Sequence, residues 1–113
     1  MESNFFPLTQ TGQPVTSQPD PSALIAGDPV HTTWNLEERD GLYCGLWKST
    51  PGIWRIEYQE WEYCRILSGI SVVSEDNGES IMVRAGDSFV IRPGFRGTWE
   101  VVDTTTKEYV IRV

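Results

Sequence analysis

Histidine is almost missing from this chain: His31 is the only one. That leaves no sequence for a multi-histidine metal site. Basic residues are few as well. Nine Lys and Arg stand against sixteen Asp and Glu, a formal net charge of −7. The chain therefore lacks the clustered cations that grip a phosphate backbone or an anionic lipid surface, and neither nucleic acid nor a membrane is an expected partner. The acidity reads as a solubility device. No run is apolar enough to span a bilayer as a helix. The opening MESNFFPLTQTGQP has neither the basic start nor the apolar stretch of a secretory signal, so the expected location is cytoplasmic. Cysteine is scarce too. Cys44 and Cys64 are not spaced as CxxC, and in a cytoplasm they read as reduced thiols. A disulfide between them would need neighbouring strands to bring them together.

What is present fits one domain with a single core. Five of the seven prolines fall at or before Pro29, in a stretch rich in Ser, Thr and Gln without sustained periodicity. Residues 1–30 read as an extended arm, with one short strand or helical turn near Ser22 to Ala26. Phe5, Phe6, Leu8, Leu24 and Ile25 are its apolar anchors. The arm is expected to lie across its own domain or across a partner subunit.

Residues 31–113 read as short strands with turns between them and no long helix, which means a sandwich or barrel. The expected strands are Gly41 to Lys48, Ile53 to Tyr58, Glu62 to Leu67, Gly69 to Ser74, Ser80 to Arg84, Ser88 to Ile91, Gly97 to Val102 and Tyr109 to Val113. Ser49-Thr50-Pro51-Gly52 is a turn, because Pro presets one dihedral and Gly tolerates the other. Asn77-Gly78, closing Glu75-Asp76-Asn77-Gly78, is a type I′ hairpin signal.

Two segments carry more specific information. Glu62 stands seven residues before Gly69, which follows Ile66-Leu67-Ser68 and opens Gly69-Ile70-Ser71-Val72. Gly86-Asp87 opens the strand Ser88-Phe89-Val90-Ile91, which ends at Arg92-Pro93-Gly94. This layout resembles the two motifs of a cupin barrel. The runs GLWKSTPGIWRIEY, EYCRILSG and GDSFVIRPGFRGTWEV resemble small single-domain cupins related to the cupin domain of (S)-ureidoglycine aminohydrolase, over residues 41–113. The resemblance implies an all-β, RmlC-like cupin jelly-roll barrel, here with an extended N-terminal arm.

The departures from that pattern bear on function. A metal cupin places His-x-His four and six residues before the motif Glu, where this chain has Tyr58 and Ile56. The alternative register offers Glu57 and Arg55, and the second-motif histidine falls at Gly97, which would open space there. Of the usual ligands only Glu62 survives, so no metal and no cofactor is expected, and the metal-dependent aminohydrolase activity does not carry over. A mixed site recruiting Cys64 and His31 is the remaining metal alternative.

Side chains alternate along a strand with period two. With the cupin alignment, Trp54, Ile56 and Tyr58 face inward, as do Glu62, Cys64, Ile66 and Trp99. The expected pocket is an aromatic cup of Trp54, Tyr58 and Trp99, with Glu62 and Cys64 as its polar members. Trp54, Ile56, Cys64 and Trp99 are the expected substrate-binding residues, and Glu62 and Tyr58 the expected catalytic ones. Burial disfavours the ionised form of a lone carboxyl, so Glu62 beside Tyr58 suits a general acid or base. Each residue has a plainer role: Trp54 and Trp99 fill a core, Tyr58 satisfies Glu62, and Cys64 is a small buried hydrophobe with no histidine near it. Arg55, Arg65, Arg92 and Arg96 fall on outward positions or turns.

Three functions compete on these terms. The first is a metal-free cupin binding a small molecule in its barrel. The second is a ureide-type hydrolase, isomerase or lyase using Glu62 and Tyr58. The third is a non-catalytic homodimer with a packed interior. A homodimer fits all three.

Overall fold

The computed structural model describes residues 3–113. All regular structure is β: β1 (Val15–Ser17), β2 (Leu24–Gly27), β3 (His31–Arg39), β4 (Leu42–Ser49), β5 (Gly52–Glu57), β6 (Trp61–Glu75), β7 (Ser80–Arg84), β8 (Ser88–Ile91) and β9 (Arg96–Arg112). Among these residues no helix is long and apolar enough to cross a membrane. Every strand pairing is antiparallel.

Two long strands organise the fold. The second half of β9 lies between β4 and the first half of β6, giving the order β1-β3-β4-β9-β6-β8. The first half of β9 lies between β5 and the second half of β6, giving β2-β5-β9-β6-β7. One continuous sheet thus curls into two halves around a shared core, the architecture of a jelly roll. Strands that pass from one half to the other do so at bends. Here the bend falls where the β6–β9 register slips between Ile66 and Ser71. Gly69 makes it possible: its φ is 89°, and a Cβ there would lie 2.1 Å from the Thr104 carbonyl oxygen.

The slip also changes the face of β6. Glu62, Cys64 and Ile66 are buried before it, Ser71 and Val73 after it. The register shifts between Ile66 and Ser71 leave a net odd offset, and that resets a period of two. β9 keeps one phase throughout, burying Gly97, Trp99, Val101, Thr105, Lys107 and Tyr109. The core joins Trp54, Ile66, Val73, Val83, Ile91, Trp99 and Val101, with Trp47, Ile56, Tyr58, Phe89 and Phe95 packed around them. At its centre Trp99 Nε1 donates to Ser71 Oγ at 3.1 Å, and Ser71 and Thr105 hydroxyls bond at 2.7 Å. The indole nitrogen is therefore satisfied without water.

Several expectations are corrected. Glu62 to Leu67 and Gly69 to Ser74 are one strand, because the glycine bends the chain without ending the ladder. Gly97 to Val102 and Tyr109 to Arg112 are likewise parts of β9, which ends before Val113, and the polar run between them stays paired. β3 was not expected. Its mixture of Thr, Asn, Glu and Trp lacks clean alternation, and a bulge between Asn35 and Glu37 breaks its register with β4. The Glu75–Gly78 turn is not type I′: Asn77 alone takes a left-handed φ, 57°, and Gly78 N–H bonds the Glu75 carbonyl.

Within the arm, two short strands join the same sheet in cis. β1 pairs with β3, and β2 with β5. Asp20 caps the turn before β2 by accepting from the Ser22 N–H and hydroxyl. Phe5, Phe6 and Leu8 remain exposed. The expectations for Met1 and Glu2 lie outside the described residues.

Candidate functional site

The site grows from the end of the curl where β4, β6 and β9 lie side by side. In register, Lys107 of β9 faces Trp47 of β4 on one side and Ile66 of β6 on the other. Period two then puts Glu62, Cys64 and Lys107 on one interior face. Tyr58 follows β5, and its backbone is held to the next turn by Tyr58 N–H to the Phe95 carbonyl and Gly94 N–H to the Tyr58 carbonyl. Its ring packs edge-on against Phe95.

The three polar groups meet. Tyr58 Oη donates to Glu62 Oε1 at 2.5 Å, and Lys107 Nζ donates to Glu62 Oε2 at 2.9 Å. Lys107 Nζ also lies 3.7 Å from Cys64 Sγ. Its charge stacks over two indoles, 4.5 Å from the Trp99 centroid and 4.7 Å from that of Trp47. Glu62 and Lys107 are only 2% and 5% exposed. A charge so deep needs a partner and further hydrogen bonds, and each has them.

Electrostatics follows from this packing. Burial alone would push the Lys107 ammonium down, but the Glu62 carboxylate and Cys64 together outweigh it and hold it above the ordinary lysine range. Burial first, then Glu62, pushes the Tyr58 phenol well above its usual value. Burial raises the Cys64 thiol to about 12 despite the nearby ammonium. A thiol that keeps its proton is no nucleophile at neutral pH.

His31 stands behind this group. Its ring packs 4.6 Å from Trp54 and 5.3 Å from Trp47, and Nδ1 bonds Ser49 Oγ at 2.9 Å. The Ser49 hydroxyl already donates to the Thr50 carbonyl, so Nδ1 carries the proton. Burial, reinforced by Lys107, lowers the histidine and favours its neutral form.

A cavity of about 430 Å³ opens above the group. Tyr58, Glu62 and Lys107 form its floor, and Thr33, Asn35, Tyr43, Trp47, Glu60 and Tyr109 its wall. Tyr109 Oη donates to Asn35 Oδ1 at 2.9 Å, and Asn35 Nδ2 to Glu38 Oε1 at 3.1 Å. Of the residues expected from sequence, Tyr58 and Glu62 reach this cavity. Trp54, Ile56, Cys64 and Trp99 face the same interior, but they pack beneath and do not line it. A wider groove of about 770 Å³ lies on the other side, between β7, β8 and the turns around Gly78 and Pro93.

Lys107 was missed by the sequence reading. The available signal was the alternation Trp99, Val101, carried on through Thr105 to Lys107 and Tyr109. Gly97 is a correction of another kind. It does not open space for a ligand: a Cβ there would lie 1.9 Å from the Ser74 carbonyl oxygen.

The residues present do not fit the metal of a histidine cupin. Tyr58 and Lys107 occupy the two oxygens of Glu62, and the ammonium would repel a divalent cation bound beside it. His31 bonds Ser49 through Nδ1, and its ring is not gathered with two further ligand side chains of the described residues. Among the described residues no three His, Cys, Asp or Glu side chains gather as a metal-binding group.

The buried thiol and phenols set an alkaline limit. The folded Cys64 value, about 12, lies above the unfolded 9.0, so its contribution is whole below pH 9 and is lost as pH rises toward 12. Tyr58, Tyr109 and Lys107 are raised as well and act in the same direction above pH 10. Urea midpoints measured from pH 8 to 11 are expected to fall steadily. Cys64→Ala should flatten the first part of that fall, and an unchanged slope would contradict the burial of the thiol.

Comparison with known proteins agrees with this architecture. No curated protein matches the chain in sequence. Among solved structures, a protein of unknown function of the DUF861 family from Pseudomonas syringae pv. tomato is 29% identical, with a TM-score of 0.82 over 92% of this chain. The chain spans 46% of that protein's length. The EutQ protein of Clostridium difficile is 20% identical, with a TM-score of 0.68 over 74% of this chain and 63% of its own. A cupin superfamily protein of Desulfitobacterium hafniense is 14% identical, with a TM-score of 0.65 over 74% of this chain and 77% of its own. The last two share the fold alone. The profile of the EutQ-like cupin domain matches residues 36–109, and the chain belongs to that family.

Proposed function

We propose that this cupin binds a small polar molecule in the cavity above Tyr58, Glu62 and Lys107, without a histidine-bound metal. The observation that carries the reading is the buried, fully paired Glu62–Lys107 couple at the floor of an open cavity. Buried ion pairs are costly to build and seldom add net stability over a well-packed apolar pair. A ligand that uses their shape and hydrogen-bonding surface gives the arrangement a purpose, in a concave pocket where polar groups converge between aromatic rings.

Acid–base catalysis by Glu62 and Tyr58 is the weaker reading. Both carboxylate oxygens are occupied, and the phenol holds its proton tightly. The packed-interior reading describes the layer of Trp54 and Trp99 but leaves the cavity above it without a role. The likeness to the ureidoglycine aminohydrolase cupin domain contributes the barrel to this proposal and not the metal chemistry.

A library of small polar metabolites screened by thermal shift, with Trp47 emission as a second readout, tests the proposal. Hits should bind Tyr58→Phe at least tenfold more weakly, while that variant keeps its fold. Silence across the library in both readouts would count against binding in this cavity.

A further inference from the structure

The protons of the Tyr58, Tyr109 and Lys107 side chains are already engaged. Tyr58 gives its phenolic proton to Glu62, and Tyr109 gives its own to Asn35. The Lys107 ammonium is used by Glu62, by the Cys64 sulfur and by two indole faces. Both phenols stay protonated at neutral pH, Tyr109 being pushed up to about 12 by its burial. What these groups turn toward a ligand is therefore lone pairs. A phenol that donates inward can still accept outward. Glu60 adds a carboxylate, one oxygen of which holds the Gln59 N–H and the other of which is available. Thr33 and Tyr43 hydroxyls can rotate to give or accept.

The charges run the same way. Glu60 and Glu62 stand against Lys107, so the lining carries one net negative charge, and its one ammonium is neutralised at 2.9 Å. An anion would meet Glu60 with no free cation to receive it. The wall is also rich in aromatic rings, from Tyr43, Trp47, Tyr58 and Tyr109. Such rings attract an organic cation through their negative faces.

We infer that the ligand of this cavity is a hydrogen-bond donor carrying positive charge, an organic ammonium compound, and that carboxylates and phosphates are excluded. The inference rests on the binding reading above and narrows it to a ligand class. Ammonium protons meet the phenolic oxygens and the Glu60 carboxylate, and the adjoining carbon skeleton lies against the rings.

Three probes of matched shape separate the possibilities: benzylamine, benzyl alcohol and benzoate, titrated at pH 7 into the ¹⁵N-labelled protein. The Trp47 indole N–H reports occupancy. Benzylamine should give saturable shifts at least tenfold tighter than benzyl alcohol, and benzoate should give none. Glu60→Gln, on the cavity wall, should weaken benzylamine several-fold and narrow its lead over the alcohol, and Tyr109→Phe should weaken it further. A benzoate preference would overturn the ammonium assignment while leaving small-molecule binding in place. Absence of saturable benzylamine binding would overturn the assignment too, and combined with a silent metabolite library it would remove the binding reading as well.

Discussion

Lys107→Met will lower stability by about 3–5 kcal/mol, the usual cost of stranding one charge of a buried pair. For a domain of this size that is a fall in Tm on the order of 15 °C. The reason is geometric. Glu62 is 2% exposed and loses its cation while keeping only the Tyr58 hydroxyl. Methionine preserves the aliphatic length of the lysine, so packing between Trp47 and Trp99 is largely retained and the loss reads out the charge. Glu62→Gln should also destabilise, because it strands the ammonium instead. The double variant should recover much of the loss, since removing both charges also removes the need to bury them. Urea denaturation of all four proteins closes the cycle. A cost below about 1 kcal/mol for Lys107→Met would mean that water reaches the pair, as at an exposed ion pair.

Gly97→His, which restores the residue type of a metal cupin at that position, will fail to create a site and will cost about 3 kcal/mol by overpacking. The side chain has nowhere to begin. Its Cβ would sit 1.9 Å from the Ser74 carbonyl oxygen and 2.9 Å from the Phe95 ring, both part of the packed β6–β9 region. Backbone must move, and the pairing of Gly97 with Ile56 and Glu75 moves with it. Gly94→Ala is the control. That glycine has a φ of 96° and open space around it, so the variant should lose only the conformational cost of about 1–2 kcal/mol. Melting curves with and without zinc distinguish the outcomes. Zinc stabilisation of a well-folded Gly97→His protein would show that the barrel can still be converted.

The residues most legible in the sequence are those on strands that the cupin resemblance anchors. Trp54, Ile56 and Tyr58 alternate with Arg55 and Glu57, and Cys64 and Ile66 follow Glu62 at period two, so the alignment and the alternation together assign their inward face. The same rule stopped short on β9. Between Val102 and Tyr109 the chain reads Asp-Thr-Thr-Thr-Lys-Glu, which looks like a solvated loop. The alternation running from Trp99 and Val101 reaches Lys107, but the polar run around it hides that phase. Its partner Glu62 lies 45 residues away, and only the curl of the sheet brings the two together. Tyr109 and Asn35 meet for the same reason across 74 residues. The empty-looking Gly97 misled in the opposite sense, because a missing side chain shows as space in a sequence and as contact in a fold. Fold class was thus readable from pattern, while the floor of the site depends on register.

The central place of β9 has a consequence for how the protein folds. Both halves of the sheet close on it, β4 and β5 on one side and the two arms of β6 on the other. These pairings join residues far apart in sequence, so loop closure must come before the contacts that reward it. Folding is therefore expected to be slow for a domain of this size, and the step that seats β9 also delivers Lys107 to Glu62.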